Sequence, residues 1–241
     1  MKIRIKFSKT GDMRFIGHLD LMRCFQKIFR RSGIDIRFSE GLSPHMIMSF
    51  ASPLGVGLTS EGEYVDIEIG SAVTSEDALL MLNNQAPEGI RFLEFVQVEP
   101  GKASKAMSLV DAADYEARLE EIPVFPEEWI KKAAAFKAQP SIMVDKETKS
   151  GVTRTDIAPM IHEFEVREDE RGSLFFMRLA SGSSANLKPE LVFDAFRENL
   201  DLPVSSSDLL ICRKELYTRL PGGSFASLGS LGRMITKEDL A

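Results

Sequence analysis

The stretch RFIGHLDLMRCFQKIFRRSGIDIRFSEGLSPHMIMSF, residues 14–50, predicts a helix, a strand and a loop in succession. Further predicted strands and helices flank it on both sides. Apolar residues recur every three or four positions from about His18 to Ser32, and Gly33 follows as a C-cap, which is typical of an amphipathic helix. The segment IDIRF (34–38) predicts a strand. The segment SEGLSPHMIMSF, with its Gly, Ser and Pro residues, predicts a loop around a short apolar run.

Outward from this stretch, alternating segments predict further strands. KIRIKFSK (2–9) alternates aliphatic or aromatic residues with cations, which predicts a half-buried strand with one basic face. EYVDIEI (63–69) and GIRFLEFVQVE (89–99) also predict strands, and SEDALLMLNNQAP (75–87) predicts a helix with Ser75 as its N-cap. The resulting order, β-α-β-β-α-β, is the ferredoxin-like pattern of two split βαβ units.

The same order of elements restarts in the second half of the chain, with an additional strand or hairpin. We therefore predict an α+β protein with two ferredoxin-like (split βαβ) domains, each built on an antiparallel sheet. The predicted segments are an N-terminal domain with a basic helix (1–100), a linker (101–113), a second ferredoxin-like domain (114–220) and a Gly/Ser-rich tail (221–241).

Composition narrows the class of protein. The chain has 241 residues, a formal net charge of −6 and two cysteines, Cys24 and Cys212, which are too few for a four-cysteine zinc site or an iron–sulfur cluster. We expect both to be free, buried thiols, and we expect no cofactor. No apolar run approaches the roughly 18–20 residues that span a bilayer, and the N-terminus does not resemble a signal peptide, so we expect a cytoplasmic protein without membrane contact.

Positive charge is concentrated at the N-terminus of this acidic chain. Residues 1–50 carry ten Lys and Arg but only four Asp and Glu. On a helical wheel, one face of the first helix is apolar and predicted to cover the sheet: Leu21, Met22, Phe25, Ile28 and Phe29. The opposite face is charged: Asp20, Arg23, Lys27, Arg30 and Arg31. Because like charges three and four residues apart repel each other, this face indicates either an anionic ligand or pairing with carboxylates elsewhere in the chain.

The loop after this helix adds groups that suit an anion. Gly41 permits backbone N–H groups to point at a ligand, and Ser43 and Pro44 shape the turn before His45. Hydroxyls, amides and an imidazole beside arginines favour a phosphate or carboxylate pocket or an RNA contact. The candidate anion- or RNA-binding residues are Arg14, His18, Arg23, Lys27, Arg30, Arg31, Ser39, Ser43 and His45.

A second candidate patch consists of Lys149, Arg154 and Asp156, in a glycine-containing stretch before Pro159. Here Arg154 and Asp156 could equally form a local ion pair of little energetic value. Phosphate-loop, nucleophile-elbow and zinc-protease motifs are absent, and with three histidines in the chain we expect no metal site.

Four segments together resemble the radical-SAM-linked protein family, a bacterial domain family of unknown function. They are FSKTGDMRFIGHLDLMR (7–23), RRSGI (30–34), SEGLSPH (39–45) and SPLGVGLTSEGEYVDI (52–67), with weaker matches at TDIAPMI (155–161) and CRKELY (212–217). The polar positions of the family motif fall here on Arg14, His18, Asp20, Arg23, Arg30, Arg31, Ser39, Gly41, Ser43, Pro44, His45, Ser60 and Glu63. This chain departs from the pattern at Gly17, where Ser is usual, and at Met46-Ile47, where Pro-Lys is usual.

The resemblance implies a partner rather than an activity. Members of that family occur beside, or fused to, a radical S-adenosylmethionine (radical SAM) protein, often near genes for a ribonuclease of the G/E type and for ribosomal proteins. We therefore expect a non-catalytic accessory protein that works with a radical SAM enzyme and presents RNA or another anionic substrate. Two alternatives stay open: a metal-independent RNA-processing endonuclease with His18 or His45 as general base, and a protein–protein adaptor that binds no RNA.

Overall fold

The computed structural model describes residues 1–101, 105–148, 151–198 and 204–240. In the first part of the chain the elements are β1 (Lys2–Lys9), α1 (His18–Ser32), β2 (Met48–Phe50), β3 (Thr59–Glu68), α2 (Ser75–Asn83), β4 (Ile90–Gln97) and α3 (Ala106–Leu109). They are followed by β5 (Ala112–Leu119), α4 (Glu127–Lys137), β6 (Met143–Thr148), β7 (Gly151–Asp156), β8 (Ile161–Asp169), β9 (Gly172–Ala180), α5 (Pro189–Arg197), β10 (Leu209–Arg219), β11 (Phe225–Ser227) and β12 (Arg233–Met234). The predicted mixed class, with mostly antiparallel strands and few helices, is confirmed.

Contacts divide the chain into two units, and the division is not the predicted one. The first unit contains residues 1–111 and 215–241, and the second contains residues 112–214. The boundary near residue 111 lies within the predicted linker, and α3 is a four-residue helix there. Residues 215–241, predicted to form the end of the second domain and a tail, belong to the first unit, so β10 contributes to both units.

In the first unit, β1 is the centre of an antiparallel sheet. It pairs with β3 on one side and β4 on the other, β2 pairs with β3, and β12 pairs with β4. Side chains alternate across β1, so Ile3, Ile5 and Phe7 point into the core beneath α1 and α2. Phe25 of α1 sits at the middle of an aromatic cluster with Phe7, Phe29, Phe50 and Phe92.

The predicted boundaries of the basic helix are confirmed, because α1 runs from His18 to Ser32 and Gly33 follows in the left-handed conformation at φ 80°. The strand predicted at 34–38 is wrong. That segment is extended, but only Ile36 and Phe38 form isolated bridges, to Ile69 and Met46, and the strand of this region lies later, at β2. The predicted cap of α2 is also wrong by one residue, since the Thr74 hydroxyl accepts the N–H of Asp77.

In the second unit the sheet order is β10-β5-β9-β8, and β6 and β7 form a separate two-stranded ribbon. The core between this sheet and its helices is aromatic, with close ring contacts among Phe136, Phe164, Phe175, Phe193 and Phe196. The ribbon supplies little to that core, since residues 151–154 of β7 are exposed.

Candidate anion-binding surface and a cavity on the other face of the sheet

The basic face of α1 is exposed, as the sequence predicts. Leu21, Phe25, Ile28 and Phe29 are buried against the sheet, whereas Asp20, Arg23, Lys27, Arg30 and Arg31 are exposed. Arg23 pairs with Asp20 at 3.0 Å, and both side chains are more than 60% exposed, so that pair contributes little stability. Within the described residues, Lys27, Arg30 and Arg31 have no carboxylate within ion-pair distance. We call the side chains of Arg23, Lys27, Arg30 and Arg31 the basic face.

Cys24 lies at the side of this helix and is half-buried, not fully buried as expected; it and Cys212 are free thiols. Burial raises the pKa of the Cys24 thiol, and the nearby charges of Lys27 and Arg31 oppose that rise in part. A thiol with a raised pKa is a poor nucleophile at neutral pH, so Cys24 does not indicate a catalytic role.

Of the other candidates before the helix, Arg14 and His18 are both half-buried. The Arg14 guanidinium lies over the ring of Phe15, 4.7 Å from its centroid, and Phe15 is 61% exposed. The His18 ring meets the buried ring of Phe50 edge-on, with 5.3 Å between centroids. His18 is therefore engaged in packing at the start of α1.

The loop that follows α1 is closed by Ser39 and His45. The Ser39 N–H donates to the carbonyl of His45, and the Ser39 hydroxyl oxygen accepts the N–H of His45 at 3.1 Å. The same hydroxyl lies 2.8 Å from Nδ1 of the His45 imidazole. Ser43 is exposed at the tip of this loop, and Gly41 adopts φ 113°, a conformation that favours glycine.

A cavity of about 810 Å³ lies beside His45, at one end of the sheet of the first unit. Its described lining comes from β1, from the segment 45–49 around β2, from the end of β3, from residues between 97 and 101 and from Lys105. It includes Lys2, His45, Ser49, Asp66, Glu68 and Lys105. None of these residues belongs to α1. The predicted single pocket, formed jointly by the arginines of the helix and the His45 turn, is therefore not what the structure contains.

Strand alternation explains the separation. Met46 and Phe50 are buried in the core beneath α1, so His45 and Ser49 project to the opposite face of the sheet. The basic face of α1 points away from the sheet on the helical side. The structure thus presents two distinct candidate sites, and His18 and His45 do not share one; the endonuclease alternative, which needs one of them as general base, stays a prediction.

The basic face predicted for β1 is neutralised inside the protein. Arg4 is 1% exposed, and its guanidinium donates to both oxygens of Asp66, at 2.8 and 3.1 Å. Lys2 lies 3.3 Å from the same carboxylate, and Lys6 pairs with Glu215 at 2.7 Å. Much of the N-terminal excess of positive charge therefore never reaches the surface. A signal for this existed in the sequence, because Asp66 stands inside the apolar run of β3, where an acid needs a partner.

Two of the three residues of the second candidate patch, Arg154 and Asp156, lie within the described residues. Lys149 lies outside the described residues, and Arg154 is exposed on β7 opposite Asp145. Asp156 accepts the backbone N–H groups of Ile142 and Ala158, at 2.8 and 3.0 Å, and these bonds lower the pKa of its carboxyl group. Arg154 and Asp156 form no ion pair, so Asp156 instead holds the base of the β6–β7 ribbon.

Among the described residues, no group of three or more His, Cys, Asp and Glu side chains is arranged to hold a metal ion. No helix in the described part of the chain combines the length and apolar character that crossing a membrane requires.

The fold and the two candidate sites define a mixed α/β protein. It has an exposed cationic helix and, on the face of the sheet opposite that helix, a cavity with a partly apolar lining. The chain belongs to a family described as "Uncharacterized protein conserved in bacteria (DUF2344)", whose model matches residues 2–189. No curated protein matches the chain.

Two solved structures show distant likeness. A chain in the crystal structure of a Cbf5-Nop10-Gar1 complex is 13% identical, with a TM-score of 0.49 and 89% of the present chain covered. The present chain spans about half, 48%, of the length of that chain. An unknown protein from Galdieria sulphuraria is 11% identical over 87% of this chain and 95% of its own, with a TM-score of 0.25. At these TM-scores neither likeness carries an argument about function.

Proposed function

We propose that the protein is a non-catalytic partner of a radical SAM enzyme and that it binds RNA through the basic face of α1. The observation that carries the RNA contact is the set of three exposed cations, Lys27, Arg30 and Arg31, without carboxylate partners among the described residues. The chain has more acidic than basic residues, yet no described carboxylate lies within ion-pair distance of these three cations. A polyanion is the ligand that such a surface suits.

The proposed radical SAM partner rests on the sequence resemblance of residues 7–67 and on composition. Two separate cysteines cannot hold an iron–sulfur cluster, so a chain of this kind would act beside the cluster-bearing enzyme. RNA, ribosome-related factors and a cytoplasmic setting are parts of the same proposal.

Charge reversal on α1 tests the RNA contact. We expect Arg23→Glu/Arg30→Glu to weaken binding of labelled tRNA at least tenfold in a filter-binding assay at low salt. The slope of log affinity against log salt should fall by roughly 1.4–1.8, because two phosphate contacts are lost and each contributes about 0.7–0.9. The matched control is Lys131→Glu/Lys237→Glu, which changes net charge equally at exposed positions outside α1. Unchanged affinity in the α1 variant would reject this face as the RNA site.

The same variants separate the adaptor alternative. If purified protein binds the radical SAM enzyme in a pull-down that is salt-sensitive, unaffected by ribonuclease treatment and lost on charge reversal of α1, the basic face contacts the enzyme and not RNA.

Incubation of labelled tRNA with wild-type protein and with His18→Ala and His45→Ala variants tests the endonuclease alternative. Cleavage that depends on either histidine would establish it.

The ferredoxin-like assignment is part of the proposal as well. The first four strands of the first unit lie in the order β4-β1-β3-β2, with the short β12 added beside β4, and the second unit has the order β10-β5-β9-β8. Numbered by their position along each unit, without the β6–β7 ribbon, both orders read 4-1-3-2, as two interleaved split βαβ units require. An experimentally determined structure that gives a different strand order would overturn the assignment.

A further inference from the structure

We infer that the cavity beside His45 binds a small molecule with a single acidic group and an apolar body, such as a medium-chain carboxylic acid. This site is independent of the proposed RNA contact, because it lies on the face of the sheet opposite α1. Its volume of about 810 Å³ falls within the range of about 300–1,000 Å³ that is usual for small-molecule sites.

The body of the ligand is specified by the apolar part of the lining. Ile47 comes from the segment that leads into β2, and Val98 follows the end of β4. An aliphatic or aromatic group placed against these side chains loses contact with water, which stabilises the complex. A purely inorganic anion would leave that surface uncovered.

The acidic group is specified by the charge around the rim. Arg4 and Lys2 both contact Asp66, and Lys2 stands directly opposite Glu68 on the neighbouring strand. Two carboxylates thus balance those two cations. Lys105 also lines the cavity, and among the described residues it has no carboxylate within ion-pair distance. Among the described residues that line the cavity, Lys105 is thus a cation without a balancing carboxylate, which suits an acidic group on the ligand.

His45 adds an imidazole to this rim. The Ser39 oxygen accepts the backbone N–H of His45, and the same oxygen lies 2.8 Å from Nδ1. Because a hydroxyl can both donate and accept, Ser39 occupies Nδ1 in either tautomer, and Nε2 is the ring atom that Ser39 does not engage. An N–H group at that atom can donate to a carboxylate oxygen while Lys105 supplies the counter-charge.

Calorimetric titration with octanoate and with uncharged octanol tests this assignment. We expect wild-type protein to bind octanoate at least tenfold more tightly than octanol. Lys105→Glu should reduce octanoate affinity at least tenfold and leave octanol affinity within about twofold. Lys237→Glu, an equal change of charge at an exposed lysine outside the cavity, should bind both ligands like wild type.

A filling variant provides the second measurement. Ser49→Trp places a large side chain in the cavity and should abolish binding of both ligands while the thermal unfolding curve stays cooperative. The Arg23→Glu/Arg30→Glu variant should bind octanoate normally, so failure of the RNA proposal and failure of this one are distinguishable. Absence of octanoate binding to wild type at millimolar concentration, equal affinity for octanol, or full octanoate affinity in Lys105→Glu would each overturn the inference.

Discussion

At the scale of single residues, Asp66 is a buried charge with several partners in the first unit. Its carboxylate accepts two bonds from Arg4 and one from the backbone N–H of Ala106, and Lys2 lies 3.3 Å away. Arg4 also donates to the carbonyl of Leu228. A single buried acid thereby connects β1 and β3 to α3 and to the C-terminal segment.

Asp66→Asn should therefore be strongly destabilising. The substitution preserves size but leaves the buried Arg4 guanidinium without its counter-charge, which costs about 3–5 kcal/mol in comparable buried pairs. Urea unfolding followed by circular dichroism measures the loss. The control Asp20→Asn, which removes the exposed partner of Arg23, should change stability by less than about 1 kcal/mol. Equal effects of the two substitutions would mean that the Arg4–Asp66 pair is not structurally important.

At the scale of elements, α1 has two separate tasks on its two faces. The apolar face docks on the sheet through Phe25, whose ring lies 4.7–5.8 Å from the rings of Phe7, Phe29, Phe50 and Phe92. The basic face makes little contact with the rest of the protein. Changes on one face should consequently alter stability, and changes on the other should alter binding.

Phe25→Ala should lower the free energy of unfolding by about 3–5 kcal/mol, because it removes a fully buried ring and leaves a cavity among four aromatic neighbours. Leu19→Ala is the matched control on the same helix: Leu19 is 67% exposed, and its truncation should cost less than about 0.5 kcal/mol. Denaturation of both variants in guanidinium chloride distinguishes them. A small loss for Phe25→Ala would show that α1 is anchored by other contacts.

At the scale of the whole molecule, the first unit is built from both ends of the chain. After β10, β11 pairs with β10 and β12 pairs with β4, while Leu228 and Ile235 are buried. The Ser75 hydroxyl oxygen accepts the N–H of Ile235, which ties the C-terminal segment to the start of α2. The glycine- and serine-rich end is thus an integral part of the first unit.

Truncation after Leu220 should therefore destabilise the first unit. The loss of Leu228 and Ile235 from the core corresponds to about 3–6 kcal/mol, at about 1.5–3 kcal/mol for each buried aliphatic side chain. A shorter truncation, after Thr236, removes only a few residues, and the described ones, 237–240, are exposed. It should lower the melting temperature far less than truncation after Leu220. If both truncated proteins melt like the full chain, residues 221–236 do not stabilise the unit.

Local pattern was sufficient for most of the elements. The three-to-four-residue spacing from about His18 to Ser32, closed by Gly33, predicts the helix that α1 forms, since helix periodicity and capping are properties of neighbouring positions. The exposed basic face followed from the same periodicity. The strand predicted at 34–38 shows where local pattern fails. That segment alternates between buried and exposed residues over 34–37, but it forms only two isolated bridges, because a strand also requires a partner strand elsewhere in the chain.

By itself, then, the sequence determined the mixed class, the course of α1 and the chemistry displayed on that helix, all of which depend on residues close together in the chain. Only the tertiary structure decided which charges remain available. Arg4 and Asp66 are 62 residues apart, and Arg4 and Leu228 are 224 apart. It also decided that His45 and the arginines of α1 face opposite sides of one sheet, since the side of a strand's residue is set by its register with distant partners.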